Sequence, residues 1–226
     1  MIQHLKNKLG RIQDGQYESD MRDRYAVLAR QLQDSSDSSD CKTATIGLTS
    51  SRPREGVSTV AANLAISAAM SQDCPVLLAD ANMSRPSVAR EFSIASGPGT
   101  SDILSGRAEM DECVLPLPSN NLFVLPAGST VEHTQATHDA LAIAKLLNEM
   151  DSKFGLVVFD LPPATELSPC FAFAGQLDGV ILVVEAEKVQ REAAERTKKR
   201  LLRAHARLLG VVFNKQREVS PRWMFR

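Results

Sequence analysis

Six short apolar runs between residues 43 and 215 constrain the fold of this 226-residue chain more than any other feature. They are TATIGLT at 43–49, PVLLAD at 75–80, LFVLPA at 122–127, LVVFDL at 156–161, GVILVVEA at 179–186 and LLGVVFNK at 208–215. Such continuous runs, rich in Val, Leu and Ile, are typical of strands buried on both faces of a parallel sheet. Helix-like segments lie between them, at 57–71, 138–152, 168–177 and 188–207. The pattern predicts an α/β fold with a doubly wound, mainly parallel sheet flanked by helices.

The composition excludes two classes of protein. Hydrophobic residues make up 43% of the chain and charged residues 23%, which excludes a wholly disordered chain. No stretch approaches the roughly 20 apolar residues that a membrane span needs, and the N-terminus has no apolar signal core. We therefore expect a cytoplasmic protein, with any contact at the inner face of the plasma membrane being peripheral. Four cysteines without a CxxC pair predict reduced, buried thiols and no zinc site.

The chain divides into four parts. Residues 1–33 are predicted to form an N-terminal helical arm, since Tyr25, Leu28 and Leu32 have the spacing of an amphipathic helix. The polar run at 34–42 reads as a flexible linker, residues 43–215 as the main domain and 216–226 as a tail. Residues 188–226 hold 12 Lys and Arg against 3 Asp and Glu. This basic region indicates either an anionic partner or lipid surface, or simply a solvated helix face.

The segment SSRPREGVST, at 50–59, has the position of a phosphate-binding loop between a buried strand and a helix. In the formula G-x-x-x-x-G-K-[ST], backbone N–H groups cradle phosphates, the lysine neutralises them and the hydroxyl holds Mg²⁺. Gly56 and Ser58 match, whereas Val57 stands at the lysine position and Ser51 at the first glycine. The loop alone therefore fails the formula.

Two acidic residues strengthen the interpretation. Asp80 and Asp160 each end a buried apolar run, in LLADANMSRP and VVFDLPPA. An aspartate that ends a strand beside a phosphate loop commonly holds Mg²⁺ and its waters. Either residue alone could merely cap the next helix. The loop and both aspartates, in this order and spacing, indicate a nucleotide site.

These segments resemble the bacterial tyrosine kinase (BY-kinase) family. TSSRPREGVSTVAANLAISAA resembles its P-loop, T-S-x-x-P-G-E-G-K-S-T, and LLADANMSRPSVAREF resembles its Walker A′ segment. LVVFDLPPATELSPCFAFAGQLDGVILVVEA and GVVFNK resemble its Walker B region and last strand. The resemblance covers about 43–215. It is to the CpsD, CapB and Wzc type, the cytoplasmic kinases of capsule and exopolysaccharide export within the ParA/MinD-like deviant P-loop ATPases.

The resemblance implies ATP or ADP and Mg²⁺ as cofactors. It implies Asp80 as the base for a tyrosine hydroxyl, and metal positions at Ser58, Asn82 and Asp160. The implied nucleotide-binding positions are Ser51, Arg52, Arg54, Glu55, Gly56, Val57, Ser58, Thr59 and Asn214. Asn214 matches a residue that contacts the adenine base in the ParA/MinD class, and it could equally be a turn residue that ends the strand. The implied partner is a membrane chain-length-determinant protein, or polysaccharide co-polymerase, with homo-oligomerisation possible in principle and no nucleic acid expected.

The chain departs from the family at catalytic positions. Val57 replaces the P-loop lysine, Arg54 replaces the glycine of P-G-E-G, and Asn82 replaces the second Walker A′ aspartate. The family's C-terminal tyrosine cluster is missing, since both tyrosines of the chain lie within its first 25 residues. In the family's E-x-x-R-x-x-R assembly helix, Met21 stands where the first arginine is expected.

These departures predict a pseudokinase, a BY-kinase-like regulator of capsule or exopolysaccharide biosynthesis and chain length. Its ATP-dependent tyrosine autophosphorylation would be weakened or lost. One alternative is an active tyrosine kinase or ATPase that uses Arg52 or Arg54 in place of the lysine, because a guanidinium suits phosphate. Another is a ParA/MinD-like positioning ATPase, which would dimerise with nucleotide and bind membrane or DNA.

Overall fold

The computed structural model describes residues 25–29, 43–71, 73–95, 97–118, 121–129, 139–151, 153–165 and 168–216. The strands in these ranges are β1 (Ala44–Ser50), β2 (Val76–Asp80), β3 (Leu115–Pro116), β4 (Leu122–Leu125), β5 (Leu156–Asp160), β6 (Gly179–Glu185) and β7 (Leu208–Asn214). They form one sheet in the order β3-β4-β2-β5-β1-β6-β7. All neighbouring pairs are parallel except β3 with β4. The predicted doubly wound, mainly parallel sheet is thus confirmed.

Helices connect the strands on both faces of the sheet. They are α1 (Val57–Ser71), α2 (Val88–Glu91), α3 (Thr100–Leu104), α4 (Met110–Cys113), α5 (Ala140–Met150), α6 (Cys170–Ala174) and α7 (Arg191–Arg203). All four helical segments predicted from the sequence contain a helix. The short helices α2, α3 and α4 and the two-residue strand β3 were not predicted, because elements this short show no hydrophobic period.

The strands bury side chains on both faces, as their continuous apolar sequences predict. In β2, Val76 and Leu78 pack in the cluster that contains the apolar residues of α1. Leu77 and Ala79 point the other way, into the cluster that contains residues of α5, α6 and α7. Since successive side chains of a strand alternate in direction, two buried faces require an uninterrupted apolar run.

Two further predictions concern the N-terminal arm and the cysteines. Tyr25 and Leu28 pack against the α1 side of the core from a helical segment at 25–29, whereas the rest of the predicted arm, the linker and residues 217–226 lie outside the described residues. Cys113 and Cys170 are buried free thiols, as expected. The expectation of reduced thiols is wrong for Cys74, which is disulfide-bonded.

The last strand, β7, forms one edge of the sheet and pairs only with β6 within the described chain. Its side chains alternate between half-buried and exposed, with Leu209, Val211 and Phe213 on the exposed side. None of the described helices has the length and apolar character needed to cross a bilayer.

Candidate nucleotide-binding site

The sheet order brings the three candidate segments together. Strands β2, β5 and β1 are adjacent and parallel, so the segments that follow them meet at one edge of the sheet. Ligands of doubly wound folds bind at this carboxyl edge. A cavity of about 660 Å³ opens here. Its lining residues are Ser50, Pro53, Arg54, Gly56, Val57, Ser58, Thr59, Asn82, Arg85, Pro86, Ser87, Arg90, Glu91, Leu161, Pro163 and Lys215.

The phosphate loop keeps a cradle-like backbone despite its altered sequence. Gly56 has φ +92°, and a Cβ there would lie 2.1 Å from the side-chain nitrogen of Asn214, so only glycine fits. Helix α1 begins directly afterwards at Val57. The unpaired N–H groups of a helix's first turn and the positive end of its dipole favour an anion. The backbone is therefore arranged for phosphate, although Val57 contributes no charge.

Arg54 adopts the left-handed conformation, with φ 70°, at the position where the family has glycine. A residue with a Cβ costs about 1–2 kcal/mol there, whereas glycine adopts this conformation freely. Arg54→Gly should therefore raise the free energy of unfolding by about 1 kcal/mol, measured by denaturant titration. Arg52→Gly is the matched control, because Arg52 is also exposed and does not have a positive φ. A gain from the control as large as that from Arg54→Gly would contradict the prediction.

Asp80 is fully buried at the end of β2, and its carboxylate organises the segment that follows. One oxygen accepts a hydrogen bond from the Asn82 N–H at 3.0 Å. The other accepts from the N–H groups of Ser87 at 2.9 Å and Val88 at 3.0 Å. Burial raises the pKa of Asp80, and these three backbone bonds oppose that rise. Asp80 therefore holds residues 82–88 against the cavity, and its role as a catalytic base stays a prediction.

Asp160 lies beside Asp80, since the two residues are paired in the register of β5 and β2. It is fully buried, and no positively charged side chain is among its hydrogen-bonding partners. Burial, and next the charge of Asp80, raise the pKa of Asp160 to about 7. Hydroxyl groups of Ser58 and Ser87 hydrogen-bond to its carboxylate and oppose the rise. Two buried carboxylates side by side are a destabilising arrangement that a cation would relieve.

The residues present fit a Mg²⁺ ion. The Oδ1 atoms of Asn82 and Asp160 are buried and accept no hydrogen bond within the described part of the chain. With the nearby Ser58 hydroxyl they offer the hard oxygen atoms that Mg²⁺ prefers. No group of three or more His, Cys, Asp and Glu among the described residues could hold a metal ion. The fit therefore depends on the hydroxyl and the amide as well as on Asp160.

Four of the predicted nucleotide-binding residues do not line the cavity. They are Ser51, Arg52, Glu55 and Asn214. The Glu55 side chain is buried and accepts a hydrogen bond from the Glu185 N–H at 3.3 Å, and burial raises its pKa. Asn214 donates from its side-chain nitrogen to the Glu55 carbonyl at 2.9 Å. In this structure Asn214 therefore anchors the loop, and its contact with an adenine base stays a prediction.

Ten of the sixteen lining residues are not among the predicted site residues, and four of the ten, all outside the segment 50–59, carry a hydroxyl or a positive charge that suits phosphate. These are Arg85 and Ser87 from the segment that Asp80 organises, Arg90 from α2, and Lys215, which follows β7. Arg85, Ser87 and Arg90 all lie in the quoted Walker A′ segment, so their position after a strand end is a signal that could have identified them. Lys215 ends the quoted GVVFNK segment, but only the strand order of the folded sheet shows that the end of β7 lies near the loop after β1.

Comparisons with known proteins agree with this geometry. Residues 43–223 match the ParA family model, which is described as "NUBPL iron-transfer P-loop NTPase". The tyrosine-protein kinase YwqD of Bacillus subtilis (strain 168) is 30% identical over 167 residues, covering 74% of this chain and 70% of YwqD.

Two further proteins are similar to this chain. The succinoglycan biosynthesis transport protein ExoP of Rhizobium meliloti (strain 1021) is 30% identical over 181 residues, which are 75% of this chain but 22% of ExoP. The solved kinase domain of VpsO is 26% identical with a TM-score of 0.75, and the match covers 90% of this chain and 100% of that one. The chain therefore belongs to the ParA family of P-loop NTPases and, within it, to the bacterial tyrosine-protein kinases.

Proposed function

We propose that this protein is a BY-kinase-like regulator of capsule or exopolysaccharide biosynthesis that binds ATP or ADP with Mg²⁺ but has weakened or lost tyrosine autophosphorylation. One observation carries the proposal: the phosphate loop keeps its cradle while Val57, at the first position of α1, leaves it without the lysine. A charge-assisted hydrogen bond contributes about 1.5–3 kcal/mol, so its loss weakens binding about ten- to a hundredfold. Phosphoryl transfer loses more, because its catalysis is mainly electrostatic.

In this proposal the metal is held by Ser58, Asn82 and Asp160. When bound, Mg²⁺ neutralises charge on the nucleotide phosphates. Asn82 supplies a neutral oxygen where the family has a carboxylate, which weakens the attraction for the ion. The backbone N–H groups of the loop orient the phosphates, and Asp80 keeps the opposite wall in place through its three backbone hydrogen bonds.

One specific observation favours a second candidate, an active kinase or ATPase with a relocated cation. Arg54 lines the cavity, together with Arg85, Arg90 and Lys215. Arg52 is exposed and is not among the lining residues, so it supports this candidate less. An arginine can bind phosphate oxygens with two parallel hydrogen bonds.

A membrane-bound chain-length-determinant protein is the proposed partner. The ExoP similarity supports it, because a domain like this one is part of a much longer protein that is named for succinoglycan transport. We propose a cytoplasmic location next to that partner, at the inner face of the plasma membrane. The basic helix α7 ends with Arg200 and Arg203 in its last turn, and this charge suits an anionic surface.

The proposal predicts weak, Mg²⁺-dependent nucleotide binding without kinase activity. Calorimetric titration of the full chain with ADP and ATP should show tighter binding with Mg²⁺ than with a chelator. Mass spectrometry after incubation with Mg²⁺ and ATP should find no phosphate on Tyr17 or Tyr25. Absence of binding at millimolar nucleotide would overturn the nucleotide site. Rapid Mg²⁺-dependent ATP turnover, or phosphotyrosine, would instead establish the active enzyme.

A further inference from the structure

Lys215, the first residue after β7, lies against the phosphate loop. Its Nζ donates a hydrogen bond to the Arg54 carbonyl at 2.7 Å, and the residue lines the same cavity as Ser58. Its Cε is 3.8 Å from the position that a Cβ on Gly56 would occupy. The ammonium group is therefore close to the residue that precedes Val57, where the family's lysine is missing.

The charge of Lys215 is only partly balanced by its surroundings. Its Nζ is 3.2 Å from one oxygen of Glu185, whose other oxygen is 2.6 Å from the Nζ of Lys188. Two lysines thus share one carboxylate: the Lys215 side chain is 46% exposed and that of Lys188 73%, whereas the Glu185 side chain is 12% exposed. Because Lys188 still balances Glu185 at 2.6 Å, Lys215 can leave this carboxylate for a phosphate without leaving it unpaired.

The groups around the cavity favour a cation that can reach the phosphate loop. Asp80 and Asp160 are buried and hydrogen-bonded to the lining residues Asn82 and Ser87, and Val57 is apolar. Arg85, Arg90 and Glu91 also line the cavity, from the part of the chain that follows β2. The Lys215 ammonium group already hydrogen-bonds to the loop backbone, and its flexible four-carbon side chain suits a point contact with phosphate.

We propose that Lys215 is a phosphate-binding residue of this site and supplies, from the end of β7, the positive charge that Val57 cannot. Its ammonium group moves from the Arg54 carbonyl to the terminal phosphates of a nucleoside di- or triphosphate. The recognised chemistry is the diphosphate group, so inorganic pyrophosphate should share the site. This inference rests on the proposed nucleotide binding.

The test compares two lysines that share one carboxylate. Lys215→Gln removes the charge but keeps a neutral donor for the Arg54 carbonyl, whereas Lys188→Gln removes a charge outside the cavity. ADP and pyrophosphate are titrated separately into the native chain and each variant by calorimetry, with thermal unfolding as a check of folding. We expect Lys215→Gln to weaken both ligands about tenfold or more, and Lys188→Gln less than about twofold.

A second comparison separates a binding role from a structural one. If Lys215 replaces the missing lysine, Lys215→Gln should cost less affinity in a Val57→Lys background than in the native chain, because the two lysines serve the same phosphates. Equal affinities of the native chain and Lys215→Gln would overturn the inference and leave the proposed function standing. A loss confined to ADP, with pyrophosphate unaffected, would also overturn it. A native chain that binds neither ligand would overturn both.

Discussion

Asp160→Asn is expected to raise the free energy of unfolding of the ligand-free protein by about 2–4 kcal/mol at pH 8, since each unit of pKa shift corresponds to about 1.4 kcal/mol. Burial, and then the neighbouring charge of Asp80, raise the pKa of Asp160 to about 7 from its usual 3.8. Asparagine has no charge to bury and keeps an oxygen that the hydroxyls of Ser58 and Ser87 can reach. Denaturant titration of both proteins at pH 8 measures the difference.

The stability gain should depend on pH in a defined direction. Between pH 3.8 and about 7 the folded Asp160 holds its proton while the unfolded one has lost it. The unfolded state then binds fewer protons, so the native protein loses stability as the pH rises through this interval. Asp160→Asn should therefore match the native stability near pH 4 and exceed it increasingly up to about pH 7. A difference that does not change with pH would contradict this account.

The neighbouring carboxylate provides the control, because Asp80→Asn should have the opposite effect. Three backbone N–H groups converge on the Asp80 carboxylate, and the NH₂ of asparagine cannot accept from them. Leaving such buried donors unpaired costs about 1–3 kcal/mol.

Asp160→Asn should in addition abolish the Mg²⁺ dependence of nucleotide binding. Unchanged Mg²⁺-dependent binding would remove Asp160 from the proposed metal site.

Val57→Lys is expected to strengthen ADP and ATP binding about ten- to a hundredfold, as a restored charge-assisted hydrogen bond predicts. Val57 begins α1 and lines the cavity, while it is only 9% exposed. The aliphatic part of a lysine can take over its packing while the ammonium group reaches the cavity. Calorimetry with and without Mg²⁺ measures the gain.

Val57→Met is the matched control for that prediction, since methionine also has a long unbranched side chain but no charge. It should leave the affinity close to that of the native chain. If neither variant binds more tightly, the missing lysine is not what limits binding. The left-handed Arg54 would then be the next position to restore to glycine.

The sequence was sufficient to predict most of the framework, for reasons that lie in local patterns. Helix α1 was predicted at its observed bounds, because apolar positions fill it after the glycine-containing loop. The strands were recognisable because both of their faces are buried. Helices such as α2, with four residues, are held instead by tertiary bonds such as that from the Val88 N–H to Asp80. Those bonds have no signature in a local window.

The site was predictable only in part for a related reason. Asp80 and Asp160 each end a strand and Gly56 lies in the loop after β1, so their convergence follows from a parallel sheet. The contacts of Asn214 and Lys215 with the loop depend on strand order, since β7 reaches the loop only through its pairing with β6. The sequence also does not reveal in which direction a side chain points. The Glu55 side chain, for example, accepts a hydrogen bond from the Glu185 N–H and does not line the cavity.

The attachment of the phosphate loop to the end of β7 has a consequence for local unfolding. An edge strand that pairs with a single neighbour is among the first parts of a sheet to open. In this protein, opening β7 also withdraws Asn214 and Lys215 from the carbonyl groups of Glu55 and Arg54. A ligand that binds only the intact loop therefore shifts this opening equilibrium toward the closed strand. Occupancy of the loop is in this way thermodynamically linked to order at the edge of the sheet, where Leu209, Val211 and Phe213 are exposed.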